Sequence, residues 1–349
     1  MPKYRIGCSG FLYDSWRGNF YNEFLPQRRW LFSYAEKLDT VELNVTFYRL
    51  LKKEAFERWH KETPPQFSFS LKGSRFITHI KKLKDVELPL STFFNTTAPL
   101  TEKLDVVLWQ LPPNFKVNLK NLEAFIEAIK PYPVRHVFEF RHKSWISKRV
   151  FKLLSSSNIA VCMADWPEFI EELPLTADFV YMRRHGEFGS YATDYTTEQL
   201  KKDAKRIKAY LKLDKDVYIY FNNDAMGYAP KNAMELKEIL EKSLPKALKK
   251  RLLPEGAKPE KKKPKKAKPA KKVKKKIQKT KPVKKAGPKK VKAKKISQKK
   301  PKKKPVSKLA SKKIPMRKTA KKTTKKTPIK NPLHTTSTIT HARGLHTTS

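Results

Sequence analysis

The amino-acid sequence predicts an α/β fold, a (β/α)8 barrel of the TIM type over residues 1–248, followed by a disordered basic tail over residues 249–349. Eight short apolar runs alternate with segments of helical periodicity, which is the element count of such a barrel. Within these runs apolar and polar residues alternate. Near residue 248 the composition changes abruptly to lysine, proline and alanine. These observations indicate one large folded domain followed by an unfolded segment.

The strand-like runs are six to eight residues long and lie between turn signals. They span residues 5–11, 40–47, 67–73, 105–111, 136–141, 160–165, 179–185 and 217–222. Segments between them carry apolar residues at spacings of three and four, as amphipathic helices do. Examples are residues 28–38, 54–62, 119–129, 148–155, 197–211 and 232–244.

The alternation within the runs separates an apolar face from a polar one. In the second run Val41, Leu43, Val45 and Phe47 oppose Glu42, Asn44 and Thr46, and the third, fifth and eighth runs behave alike. Barrel strands press one face on the helix ring, so we expect the apolar set outside and a polar interior. An open antiparallel sheet with one wet face gives the same alternation, but the intervening helical segments argue against hairpins.

The tail is defined by its charge. Residues 251–349 contain 38 lysines and arginines, 2 acids and no aromatic residue, within a chain of formal net charge +47. Ordering a backbone costs ~1 to 2 kcal/mol per residue, and this composition has too little apolar surface to offset it. We therefore expect disorder, and we expect the lysines to bind the phosphates of nucleic acid without sequence preference. The alternative is a solubilising extension without a partner.

The remaining composition predicts a cytoplasmic protein with reduced cysteines and without membrane association. Cys8 and Cys162 do not form a disulfide framework, and no run of about 18 apolar residues occurs. The first ten residues do not form a secretory signal. With its basic tail, the protein is expected at the nucleoid, or in the nucleus if the host has one.

Seven short motifs follow one another along residues 4–244. They are Gly7-Cys8-Ser9-Gly10 with Tyr13 and Trp16; Glu42, Asn44 and Thr46-Phe47-Tyr48-Arg49; Lys72 with Thr78-His79; Gln110-Leu111-Pro112-Pro113; Glu139-Phe140-Arg141-His142 with Ser144-Trp145; His185-Gly186 with Tyr191 and Tyr195; and Tyr220-Phe221-Asn222-Asn223 with Gly227. In this order they resemble the YecE-like family, barrel proteins classed as a domain of unknown function. Phe11 and Asn22 stand where that family usually has Trp and Pro.

The resemblance implies the barrel fold and supplies no established activity. It does not extend to the tail, which resembles the tails of linker histones and of lysine-rich bacterial nucleoid proteins.

Active sites of such barrels lie at the carboxyl ends of the strands, so polar residues late in each run are the candidates. We predict three catalytic residues: Glu139, His185 and Lys72. We predict seven ligand contacts: Ser9, Glu42, Asn44, Gln110, Arg141, Arg183 and Asn222. Because Lys72, Arg141 and Arg183 would line one mouth, a small phosphate or carboxylate ligand is favoured. The alternative is an internal salt-bridge network with Glu42 and Glu139.

Several chemistries remain open for these residues. Glu139 and His185 could form a general acid–base pair, or His185 could only hold the turn before Gly186. Lys72 could be a Schiff-base or proton-transfer lysine, or only an anion contact. A metal would require Glu42, Glu139, Asp165 and His185 to converge, and no spacing signature supports one. Phosphate-loop, dinucleotide-binding and nucleophile-elbow motifs are missing, so we predict neither metal nor cofactor.

Three functions compete on this basis. The leading hypothesis is a barrel that binds a small anionic ligand and is held near DNA by its tail. The second is a nucleoid-associated protein whose barrel is a scaffold. The third is an enzyme that processes the nucleic acid gathered by the tail.

Overall fold

The computed structural model describes residues 2–165, 173–186 and 189–252. Within them eight parallel strands close into a barrel in chain order, and the last strand pairs with the first. The strands are β1 (Tyr4–Ser9), β2 (Thr40–Leu43), β3 (Ser68–Lys72), β4 (Leu104–Gln110), β5 (Arg135–Glu139), β6 (Ala160–Ala164), β7 (Phe179–Arg184) and β8 (Asp216–Phe221). The (β/α)8 barrel predicted from the sequence is confirmed.

Helices surround the barrel. Those of the described residues are α1 (Trp30–Ala35), α2 (Val45–Tyr48), α3 (Lys53–Glu62), α4 (Glu87–Thr97), α5 (Leu119–Ile129), α6 (Lys148–Ser156), α7 (Thr197–Lys212), α8 (Tyr228–Ser243) and α9 (Lys246–Leu252). None of them combines the length and the apolarity that a membrane-crossing helix needs. The predicted tail beyond residue 252 lies outside the described residues.

The second strand is shorter than its predicted run over residues 40–47. It ends at Leu43, because Asn44 turns into the helical region (φ −82°, ψ −16°) and residues 45–48 form α2. The hydroxyl of Thr46 donates to the carbonyl oxygen of Lys72 at 2.7 Å, which ties this turn to the end of β3. Val45 and Phe47 therefore do not continue the outward face of β2.

The outward and inward faces predicted for the strands are otherwise observed. Residues such as Val41, Leu71, Phe138 and Ile219 pack in one core with the helices. A smaller core fills the barrel itself and includes Tyr181, Tyr218 and Tyr220 together with small residues of β6.

Hydrogen bonds join polar side chains inside the barrel. Thr40 Oγ1 lies 2.7 Å from the Tyr220 hydroxyl and donates to the carbonyl oxygen of Ser68. At the amino-terminal end Arg135 contacts Asp216 at 2.6 Å and the Tyr218 hydroxyl at 2.7 Å. Buried polar groups of this kind fix the packing of the barrel interior. Active sites of such barrels lie at the other end, at the carboxyl ends of the strands.

Candidate active site at the carboxyl mouth

The inward side chains at the carboxyl ends of five strands form one buried polar cluster. They are Ser9 on β1, Glu42 on β2, Lys72 on β3, Glu139 on β5 and Arg183 on β7. The strands are parallel, so their last inward residues meet at one mouth. The structure thus brings together five of the predicted site residues from distant parts of the sequence.

Arg183 joins the two carboxylates at the centre of this cluster. Its Nη2 lies 2.9 Å from Oε1 of Glu42, and its Nη1 lies 2.6 Å from Oε2 of Glu139. Glu42 also accepts from the Ser9 hydroxyl at 2.7 Å and the Tyr181 hydroxyl at 2.6 Å. All five side chains are almost completely buried. Glu42, Glu139 and Arg183 therefore form part of the internal salt-bridge network that the sequence left as an alternative, but Lys72 does not join it by an ion pair.

The opposing charges keep the Glu139 carboxylate ionised. Burial by itself raises its pKa, but the charges of Arg141 and Arg183 outweigh burial and hold the pKa well below the ordinary value. Arg141 follows β5 and forms an ion pair with Glu139. Glu139 therefore holds no proton to donate near pH 7.

His185 lies beside Glu139 as a neutral ring. Burial, and then the charge of Arg183, lower its pKa below the ordinary value. Its Nε2 lies 3.7 Å from Oε1 of Glu139 and 3.1 Å from Nη2 of Arg141. Its Nδ1 lies 3.2 Å from Nδ2 of Asn222, so the side-chain nitrogens of Arg141 and Asn222 flank the two ring nitrogens.

Asp165, which follows β6, supports the backbone of this region. Its Oδ1 accepts from the backbone N–H of His185 at 2.6 Å, and its other oxygen accepts from the Tyr195 hydroxyl. The carboxylate therefore holds the backbone of the residue that directly follows β7.

Lys72 differs from the other cations of the mouth. Its side chain is buried, and its Nζ lies 4.3 Å from the centre of the Phe47 ring. This nitrogen makes no hydrogen bond or ion pair with any residue in the part of the chain that the structure describes. Burial first, and then the charge of Arg183, lower the pKa of Lys72 to about 8.

The other predicted contacts border this centre. Asn44 donates to the carbonyl oxygen of Ser9 at 3.3 Å, and its buried Oδ1 has no hydrogen-bond donor among the described residues. Gln110 ends β4, half-buried and in register with Glu139. A cavity of about 500 Å³ lies beside Asn44 and is lined also by Tyr13, Tyr48 and residues of helix α3, but not by the charged cluster.

Asp224 is a buried carboxyl beside Tyr13 that sequence reasoning missed. It follows β8, and its Oδ1 is buried without a hydrogen-bond donor among the described residues. Burial raises its pKa to about 7, against a smaller lowering by the Tyr13 hydroxyl. The signal that could have found Asp224 is the polar run of residues 222–224, which comes directly after a barrel strand.

No group of three or more His, Cys, Asp or Glu side chains within residues 2–165, 173–186 and 189–252 is arranged to hold a metal ion. Glu139 and His185 approach each other, whereas Glu42 is directed to Arg183 and Asp165 to the backbone of β7.

Comparison with known proteins places the chain among barrel proteins without an assigned activity. Residues 5–258 match the family model described as "Protein of unknown function DUF72". The chain is 24% identical over 242 residues to the UPF0759 protein YunF of Bacillus subtilis, covering 60% of this chain and 86% of that protein. It is 29% identical over 116 residues to the UPF0759 protein YecE of Escherichia coli K12, covering 33% of this chain and 42% of that protein.

Solved structures agree with this assignment. A DUF72 family protein of Thermotoga maritima superposes with a TM-score of 0.57 at 30% identity, covering 68% of this chain and 99% of that chain. One from Enterococcus faecalis gives 0.59 at 21% identity, covering 68% and 95%, and so supports the fold alone. The resemblance to the YecE-like family predicted from the seven motifs is confirmed.

Proposed function

The chain belongs to the DUF72 family, and we propose that its barrel binds a small anion, a phosphate or a carboxylate compound, at the carboxyl mouth. The observation that carries the proposal is a buried excess of positive charge. Three cations, Lys72, Arg141 and Arg183, face two carboxylates, Glu42 and Glu139. The ion pairs use both carboxylates on the arginines, so the excess charge resides on Lys72.

A largely buried ammonium that forms no ion pair is costly, because it has lost most of its hydration without a counterion in direct contact. The lowered pKa of Lys72 is the direct consequence of that cost. An anion placed against Lys72 and Arg141 would supply the missing counterion, and the planar guanidinium of Arg141 suits a carboxylate or phosphate. Binding would then raise the pKa of Lys72 and take up protons near pH 8.

The test is thermal unfolding of the full chain with inorganic phosphate, sugar phosphates and small mono- and dicarboxylates. A ligand that binds only the native state stabilises it by about 2.7 kcal/mol at a hundredfold excess over Kd. We expect at least one compound to raise the Tm of the wild type but not of Lys72→Met, which removes the unpaired charge without breaking an ion pair.

Lys37→Met is the matched control. The Nζ of Lys37 also lies 4.3 Å from an aromatic ring, that of Phe20, but Lys37 belongs to the helix layer outside the barrel interior. The anion should raise the Tm of Lys37→Met as much as it raises the Tm of the wild type. Equal shifts in all three proteins would assign anion binding to another surface, such as the tail, and refute the proposal.

For the tail we propose non-specific binding to DNA, which would hold the barrel at the nucleoid. The support is compositional: 38 lysines and arginines against 2 acids over residues 251–349, spaced by proline and alanine. Such a chain can track phosphates and release their counterions, but it has no aromatic residue with which to stack on bases.

A further inference from the structure

The amine of Lys72 is placed to react, and this inference rests on the anion site proposed above. Its stem continues the inward face of β3 after Ser68 and Ser70, so the nitrogen ends inside the mouth. With an exposed fraction of 8%, the side chain is buried but is not completely sealed from solvent. The ring of Phe47 covers it on one side, and a ring face attracts an ammonium without accepting a proton from it.

Burial is the largest effect on this nitrogen and favours its neutral form. Among the charged groups that face it, Arg183 and Arg141 oppose its charge, whereas Glu139 and Glu42 favour it. His79, which packs edge-on against Phe47, adds no charge near neutral pH, because burial and then Lys72 itself lower its pKa to about 4. About half of the Lys72 amine is therefore a free nucleophile at pH 8, against roughly 0.3% for an ordinary lysine.

We propose that Lys72 forms an imine with the carbonyl group of a small keto acid or keto phosphate. The neutral Nζ adds its electron pair to the carbonyl carbon. The carbonyl oxygen then leaves as water together with the two amine hydrogens, and a carbon–nitrogen double bond replaces the carbon–oxygen double bond. Protonation of the imine from solvent gives an iminium, which withdraws electrons from the adjacent carbon.

The surroundings suit such an intermediate better than they suit the free ammonium. Arg141 would hold the anionic group of the substrate, which fixes the carbonyl carbon near Nζ. The iminium charge would lie among Glu42 and Glu139, both of which are kept in place by Arg183. The unsatisfied Oδ1 of Asn44 is an acceptor for a substrate hydroxyl.

Reductive trapping of the full chain tests the proposal. Pyruvate, as a keto acid, and dihydroxyacetone phosphate, as a keto phosphate, are each added with sodium cyanoborohydride, which delivers hydride to the imine carbon and leaves a stable secondary amine. Peptide mass spectrometry then compares Lys72 with Lys37 and with the tail lysines in the same sample. We expect Lys72 to be modified about tenfold faster or more at pH 7 to 8, with a half-maximum near pH 8, whereas the other lysines keep rising with pH.

Lys72→Arg separates reactivity from anion binding, because it keeps the charge and removes the nucleophilic amine. We expect the single fast adduct to disappear while a smaller anion-dependent rise in Tm remains. If Lys72 reacts no faster than Lys37 with either probe while phosphate still raises the Tm, the imine is refuted and the anion site stands. Fast modification of Lys72 without any anion-dependent rise in Tm refutes the anion site and supports the reactive amine.

Discussion

At the scale of single residues, Arg183 and Lys72 carry the same formal charge in the same mouth and have opposite roles. Arg183 is 1% exposed and is held by two carboxylates, so its removal would leave Glu42 buried without a counterion and Glu139 with Arg141 alone. Breaking a buried pair from one side costs about 3 to 5 kcal/mol. A loss of binding in Arg183→Ala would therefore be inseparable from a loss of folding, and Lys72 is the informative position.

Asp224 makes the stability of the barrel depend on pH. Its pKa is about 7 in the folded protein and is raised by burial, whereas the ordinary value is 3.8. Below the lower value both states hold the proton. As the pH rises toward 7 only the unfolded chain releases it, so stability is lost.

We therefore expect Asp224→Asn to stabilise the protein at pH 8, by on the order of 2 to 4 kcal/mol relative to its effect at pH 4. Urea unfolding at both pH values measures the difference. Asp14→Asn is the control, because Asp14 lies in the neighbouring β1–α1 loop with 83% of its side chain exposed, and it should show no such dependence. An Asp224→Asn effect of equal size at both pH values would contradict the assignment.

At the scale of elements, the sequence predicts the barrel well because each strand has to separate two environments. The helix layer selects Phe138 and Ile219, the barrel interior selects Glu139 and Tyr220, and the resulting alternation can be read locally. The residue at which a strand ends cannot be predicted from the local pattern. The turn at Asn44 depends on the carbonyl of Lys72, which belongs to another strand, so the local pattern extends β2 too far.

The same limit applies to the site. The positions at strand ends were predictable because parallel strands end at one mouth. The sequence could not show which of the cations is neutralised, because Glu42 and Arg183 meet only through closure of the barrel and are 141 residues apart. Asp224 likewise meets Tyr13, which is far away in the sequence and whose hydroxyl lowers the pKa of this carboxyl against the larger effect of burial.

The side chain of Lys103 joins helix α3 to the segment before β4. Lys103 is 4% exposed, and its Nζ donates to the carbonyl oxygens of His60 at 2.6 Å and Thr63 at 2.8 Å. These carbonyls belong to the last turn of α3 and its cap, where no further helical N–H follows. The lysine acts as a carboxyl-terminal cap supplied by a distant segment.

We expect Lys103→Met to destabilise the barrel by about 2 to 3 kcal/mol, because buried carbonyls lose a charged donor. The urea midpoint should fall while the m value stays unchanged. Lys130→Met removes an exposed ion pair with Glu127 and should change stability by less than about 0.5 kcal/mol. Equal effects of the two substitutions would mean that the contact of Lys103 with α3 contributes little.

At the scale of the whole molecule, the basic tail and the barrel can be separated by truncation. Helix α9 extends to Leu252 and the family match to residue 258, so a cut after residue 258 keeps every described element. We expect this truncation to remove most of the affinity for duplex DNA. If the tail contacts 6 to 10 phosphates, full-length binding should weaken by about 10³ to 10⁵ between 50 and 200 mM salt.

Two full-length variants decide whether charge alone is responsible. A tail with its residues scrambled keeps length and charge and should bind DNA as the natural tail does, because counterion release does not depend on residue order. A tail with half of its lysines changed to glutamine keeps the length and should lose both affinity and salt dependence. Gel-shift titrations at several salt concentrations give both quantities. Equal affinity with and without residues 259–349 would move DNA binding to the barrel, and failure of the scrambled tail would replace a charge effect with a specific motif.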